Sequence, residues 1–105
     1  MQQRRVVVTG LGALTPVGNT VSEFWNNLIE GKSGAAPITR FDTTKFKTKF
    51  ACEIKNFDPL NYFEKQDVRK IDPFTQYALV TADEAIKDSG LELDKVDKTR
   101  VGVIW

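Results

Sequence analysis

Two short, continuously apolar runs lie near the ends of the chain, with two stretches of helical periodicity between them. Arg5-Val6-Val7-Val8-Thr9 is rich in β-branched residues and is stopped by Gly10. An apolar run without alternation predicts a strand buried on both faces, as in the middle of a layered α/β structure. Arg100-Val101-Gly102-Val103-Ile104-Trp105 predicts the start of a second such strand. Val21, Phe24, Trp25, Leu28 and Ile29 are spaced to form one apolar face of a helix. Thr20 is placed to cap that helix, and Glu23, three residues on, completes a capping box. Gly31 sits where a helix end favours a left-handed residue.

Asp72-Pro73 opens a longer helix, expected over 73–89 and closed by Gly90, with Phe74, Tyr77, Ala78, Ala82, Ala85 and Ile86 as its inner face. Asp58-Pro59 repeats the device ahead of a short helix over Leu60 to Phe63. Gly10 to Gly18 reads as a turn-rich loop, Phe46 to Ile54 as a loop with a short extended piece, and Leu91 to Thr99 as a polar connection. Two strands and two substantial helices do not close a layered core, so the pattern predicts part of a larger α/β protein.

Composition narrows the chemistry. The 105 residues hold 15 Lys and Arg against 14 Asp and Glu, a net charge of +1. That balance lacks the basic excess of a nucleic-acid binder, and none is expected as a partner. The N-terminal apolar run is too short for a signal peptide or a membrane span, so a cytoplasmic protein without membrane contact is expected. Histidine is absent, which removes Ser-His-Asp and Cys-His machinery and any His-containing zinc site. No metal, cofactor or catalytic residue is expected within this segment.

Four features invite sharper readings. Strand, glycine loop and helix invite a dinucleotide site, but in G-x-G-x-x-G spacing Gly10 and Gly12 are followed by Thr15-Pro16, and the next glycine, Gly18, comes too late. Lys45-Phe46-Lys47-Thr48-Lys49-Phe50 interleaves cations with aromatics, a pattern that suits either nucleic acid or a solvated edge, and the charge balance favours the edge. Cys52 lies between Ala51 and Glu53, without the electropositive surroundings of a reactive thiolate, and reads as a packed or bystander cysteine. Lys65, Arg69 and Lys70, just before Asp72-Pro73, form either a solvated cluster or a docking patch for an acidic partner or phosphate.

The blocks Arg4-Arg5-Val6-Val7-Val8-Thr9-Gly10-Leu11-Gly12, Thr15-Pro16-Val17-Gly18-Asn19, Gly31-Lys32-Ser33-Gly34 and Phe41-Asp42-Thr43 follow one another in order. Lys49-Phe50-Ala51, Arg69-Lys70-Ile71-Asp72-Pro73-Phe74, Gln76-Tyr77, Asp88-Ser89-Gly90-Leu91 and Arg100-Val101-Gly102 complete the series. Together they resemble the opening of the β-ketoacyl-acyl carrier protein synthases, the condensing enzymes of fatty-acid elongation. The resemblance implies a thiolase-like fold, two related α/β halves in an αβαβα arrangement, with residues 1–105 as an incomplete, single N-terminal portion. It implies an acyltransferase, dimeric when full length, that condenses a cysteine-bound acyl group with malonyl-carrier protein after decarboxylation.

The family's cysteine and two histidines lie downstream of Trp105, so the segment alone is expected to be inactive, and Cys52 does not match the nucleophile. Lys65, Arg69 and Lys70 match the region through which the family contacts acyl carrier protein, while Gln66 stands where relatives often carry a cation. A non-catalytic chain-length-factor-like relative and a polyketide ketosynthase are the alternatives, with a small nucleotide-binding module as the outsider. Acyl-chain preference is not legible, because the pocket would be built from other residues.

Overall fold

The computed structural model describes residues 1–105. Helix α1 spans Val21–Ile29, strands β1 and β2 span Ala36–Pro37 and Phe50–Ala51, and helices α2 and α3 span Lys65–Val68 and Pro73–Ser89. Single 3-10 turns occupy Pro59–Asn61, Leu93–Lys95 and Lys98–Arg100.

Helix α1 forms as its sequence predicts. Thr20 is extended, and its hydroxyl accepts from the Glu23 amide at 3.2 Å. The return contact of the capping box is displaced by one residue, since the Glu23 carboxylate accepts from the Asn19 amide at 3.4 Å rather than from Thr20. At the other end Gly31 adopts a φ of 71°. The Gly31 and Lys32 amides then donate to the Leu28 and Asn27 carbonyls, a Schellman closure that satisfies two orphan acceptors. Helix α3 keeps the expected bounds and ends on left-handed Gly90, but the Asp72 side chain makes no capping bond. The short helix expected over Leu60 to Phe63 is a single turn over Pro59–Asn61, capped by Asp58, which accepts from the Leu60 amide.

β1 and β2 pair antiparallel, with Ala36 opposite Ala51 and Pro37 opposite Phe50, and the Ile38 amide adds a bond to the Lys49 carbonyl. This hairpin is the whole sheet.

The two buried strands expected at Val6–Thr9 and Val101–Trp105 are not formed. Both runs are without strand pairing, and Val6, Val8, Val103 and Ile104 are each at least 80% exposed. A β-branched run becomes a strand only when another chain segment takes its amides and carbonyls, and nothing in residues 1–105 does so. The inner face expected for α3 is corrected in the same way: Phe74, Ala82 and Ile86 are exposed, while Tyr77, Ala78 and Ala85 are partly covered.

Only Gly18, Gly34 and Gln76 are buried, and no large apolar side chain is fully enclosed. The radius of gyration is 17.7 Å, whereas a compact domain of about 100 residues reaches about 13 Å. The elements are held together by local polar seams around α3 and the 15–34–55 region, not by a closed apolar core.

Candidate functional site

The three cations singled out in the sequence lie on and just after α2. Lys65 opens this one-turn helix, and Arg69 is its C-cap and keeps helical dihedrals (φ −77°, ψ −18°). Residues four apart on a helix are neighbours on one face, so Lys65 and Arg69 project together. Both are exposed, and neither forms an ion pair. Lys70 is different: its ammonium lies 4.0 Å from Asp67 Oδ1, so part of its charge is offset locally. Gln66 turns its amide to the Glu64 carboxylate at 3.0 Å, which occupies that acid without neutralising it.

Gln76 fixes this surface from behind. It is 6% exposed, and its Nε2 donates to the Ile71 carbonyl at 3.2 Å and the Val68 carbonyl at 3.4 Å. Those carbonyls bracket Arg69 and Lys70, so one buried amide ties α2 and the following turn to α3. Sequence reasoning missed this role, because a glutamine outside the apolar face expected for α3 carries no signal of what it binds. A residue whose side chain bridges two carbonyls is recognisable only once α3 is set beside α2.

The glycine loop has a different use. The Leu11 amide donates to Asp88 at 2.9 Å and the Ala13 amide to Glu84 Oε2 at 2.8 Å. The other Glu84 oxygen accepts from the Val21 amide in the first turn of α1, at 2.9 Å. The amides that a pyrophosphate would need are therefore taken by the protein's own carboxylates, which also repel a phosphate. The nucleotide-binding outsider is set aside on this geometry. Gly10 and Gly12 serve close packing instead, since a Cβ at either would stand under 3.0 Å from the backbone of α3, at Ala85 and Ser89 or at Thr81.

The remaining candidates are surface features. Lys45, Lys47 and Lys49 are exposed beside the hairpin, and Phe46, itself more than half exposed, packs edge-on against Phe41 with ring centroids 5.4 Å apart. Cys52 is a free, exposed thiol, which resolves the packed-or-bystander choice in favour of the bystander. Nearby, Arg40 donates to the Tyr77 hydroxyl at 2.8 Å, and that bond raises the guanidinium pKa further. The Thr39 hydroxyl donates to Glu53 at 2.8 Å and holds its carboxyl below the ordinary glutamate range. No group of His, Cys, Asp or Glu is arranged to hold a metal ion, and no helix is long and apolar enough to cross a membrane.

Residues 3–105 match the family described as β-ketoacyl synthase, N-terminal domain. The chain is 48% identical over 103 residues to a 3-oxoacyl-[acyl-carrier-protein] synthase 2 of Coxiella burnetii, covering 98% of this chain and 25% of that relative. Among solved structures it resembles the ishigamide ketosynthase/chain length factor, with a TM-score of 0.79 and 39% identity over 90% of this chain and 24% of that one. It also resembles a chain of a type II polyketide synthase acyl-carrier protein in complex with its ketosynthase bound to a hexaketide. There the TM-score is 0.64 and the identity 30%, over 93% of this chain and 24% of that one. The chain thus spans about a quarter of the length of the curated relatives it matches.

Proposed function

The chain belongs to the β-ketoacyl synthase family through its N-terminal domain, and from that premise we propose that it is the N-terminal portion of a 3-oxoacyl-acyl carrier protein synthase of fatty-acid elongation. The observation that carries the reading is the collinear likeness over nearly the whole chain to relatives named 3-oxoacyl-[acyl-carrier-protein] synthase 2. In the proposed whole enzyme a cysteine outside residues 1–105 takes the acyl group as a thioester. Malonyl-carrier protein then loses carbon dioxide, and the resulting carbanion attacks that thioester to release a chain two carbons longer. Residues 1–105 hold neither histidine nor a cysteine matching the nucleophile, so their part in this scheme is structural and in docking.

The docking role falls on α2. Lys65 and Arg69 offer two unpaired cations one helical turn apart, with Lys70 beside them, a surface suited to an acidic helix of acyl carrier protein. Such contacts act mainly on encounter rate and orientation and weaken as salt rises. The same reading takes the whole fold as a thiolase-like αβαβα sandwich in which Val6–Thr9 and Val101–Trp105 find their partner strands. Homodimerisation and a cytoplasmic location belong to it as well and rest on the family resemblance.

A second reading, a non-catalytic chain-length factor, has one observation in its favour, since the name of a solved relative includes that component. Condensation assays on the full-length protein separate the two: turnover of acyl and malonyl carrier-protein thioesters supports the enzyme, and its absence in a folded protein supports the factor. For docking, Lys65→Glu with Arg69→Glu is expected to weaken carrier-protein affinity by roughly tenfold or more at low salt. An unchanged affinity in the folded variant would remove Lys65 and Arg69 from the docking surface.

A further inference from the structure

Lys55 is an exposed residue, yet its ammonium is bonded to three backbone oxygens. Nζ donates to the Gly34 carbonyl at 2.7 Å, the Glu53 carbonyl at 3.1 Å and the Pro16 carbonyl at 3.2 Å. The oxygens come from three separate stretches: the loop before α1, the approach to β1 and the segment after β2. No carboxylate lies within ion-pair distance of this ammonium.

The cradle is also braced by bonds that do not involve the Lys55 side chain. Thr15 and Gly18 exchange backbone bonds at 2.8 and 3.2 Å. Asn27 donates to the Val17 carbonyl at 2.6 Å, and Asn19 donates to the carbonyl of Lys55 itself at 2.7 Å. Gly34 is buried against Pro16, where a Cβ would stand 2.8 Å from the proline Cβ. Three convergent neutral oxygens, fixed by their own scaffold, are the donor set of a weakly hydrated monovalent cation. Divalent ions in protein cages are held largely by carboxylates, and none is present in this cradle.

We propose that the Pro16, Gly34 and Glu53 carbonyls form a binding site for a small monovalent cation of the ammonium or potassium class, which the protein fills with its own tethered Lys55 ammonium. The bound charge holds together three carbonyl dipoles that otherwise repel one another, and so joins the loop before α1 to the hairpin. This inference is independent of the condensing-enzyme reading.

The test is chemical rescue in the full-length chain that carries residues 1–105. Lys55→Ala is examined in ammonium, potassium and tetramethylammonium chlorides at equal ionic strength, with amide exchange at Thr15 and Gly18 as the readout. In tetramethylammonium, too large for the cradle, exchange is expected to quicken by about tenfold, and ammonium or potassium should restore it in a saturable way. Lys55→Met, which leaves an uncharged stem in place, should lose the same protection and regain it in no salt. If Lys55→Ala folds only with a cation, folded yield after refolding replaces exchange as the readout, with the same salt ranking expected. Unchanged exchange in Lys55→Ala, equal behaviour in all three salts, or rescue of Lys55→Met by ammonium or potassium would overturn the proposal.

Discussion

The glycine seam and the two terminal runs are neighbours in character but opposites in outcome. Val6 to Thr9 and Val101 to Trp105 are the most β-prone stretches of the chain, yet both are unpaired and exposed. Leu11 to Val21 is weaker in any propensity, yet it is bound to α3 across more than 60 residues of sequence by Asp88 and Glu84. In the terminal runs apolarity alone formed no pairing, whereas in the seam a carboxylate aimed at an amide joins two distant chain segments. A backbone amide must find an acceptor wherever it is shielded from water, and only the seam supplies its own acceptors.

Two changes test that contrast, and a third sets beside it a carboxylate bond of the hairpin. The largest effect is expected from Gly12→Val in the full-length protein. A branched side chain has no room against Thr81 and Ala85, and the loss should be about 4 kcal/mol or more, read as a drop in chemical-denaturation midpoint or as failure to accumulate. A variant as stable as the parent would mean the loop does not lie on α3. Glu84→Ala comes next. It removes the acceptor of two amides, and the expected loss is roughly 1.5–3 kcal/mol, reduced where water reaches the site. Amide exchange locates the effect: Ala13 and Val21 should quicken, while Val6 to Val8, exposed and unpaired in the 105-residue chain, should exchange there as a free peptide does. Protection of Val7 matching that of Ala13 would erase the distinction between the two regions.

The smallest effect concerns pH. Because the Thr39 hydroxyl bond lowers the Glu53 pKa, the stabilisation it brings is present above the unfolded-state pKa and is lost as pH falls through the lower folded-state value. Thr39→Val is expected to move the Glu53 titration upward toward the ordinary glutamate value, followed by carboxyl chemical shift, and to diminish the acid sensitivity of the hairpin. No movement would mean that another group governs this carboxylate.

Local signals were legible where the sequence carries its own partner. Thr20 and Gly31 mark the ends of α1, and Pro73 and Gly90 mark those of α3, because caps and left-handed residues act within a turn or two. Lys65, Arg69 and Lys70 could be picked out by charge and spacing, but the weaker standing of Lys70 depends on Asp67 and was visible only in the structure. The expectations that failed were those needing a distant partner. Val6–Thr9 needs neighbouring strands, and the inner face of α3 is decided by what lies on it, so Glu84 and Asp88 are turned to the loop while Phe74 and Ile86 are left out. Gln76 and Lys55 were missed for the same reason, since each acts on backbone carbonyls, which carry no side-chain signal and are brought within reach only by the fold.

The bond from the Leu11 amide to Asp88 has one more effect, on the residues that precede it. It clamps the backbone only two residues after Thr9, so the valine run leaves α3 from a stationary root instead of swinging on a long tether. A partner strand approaching that run meets a segment whose point of departure is already set, and less disorder remains to be lost when the two pair. The seam is in this sense a hinge pin driven in before the door is hung.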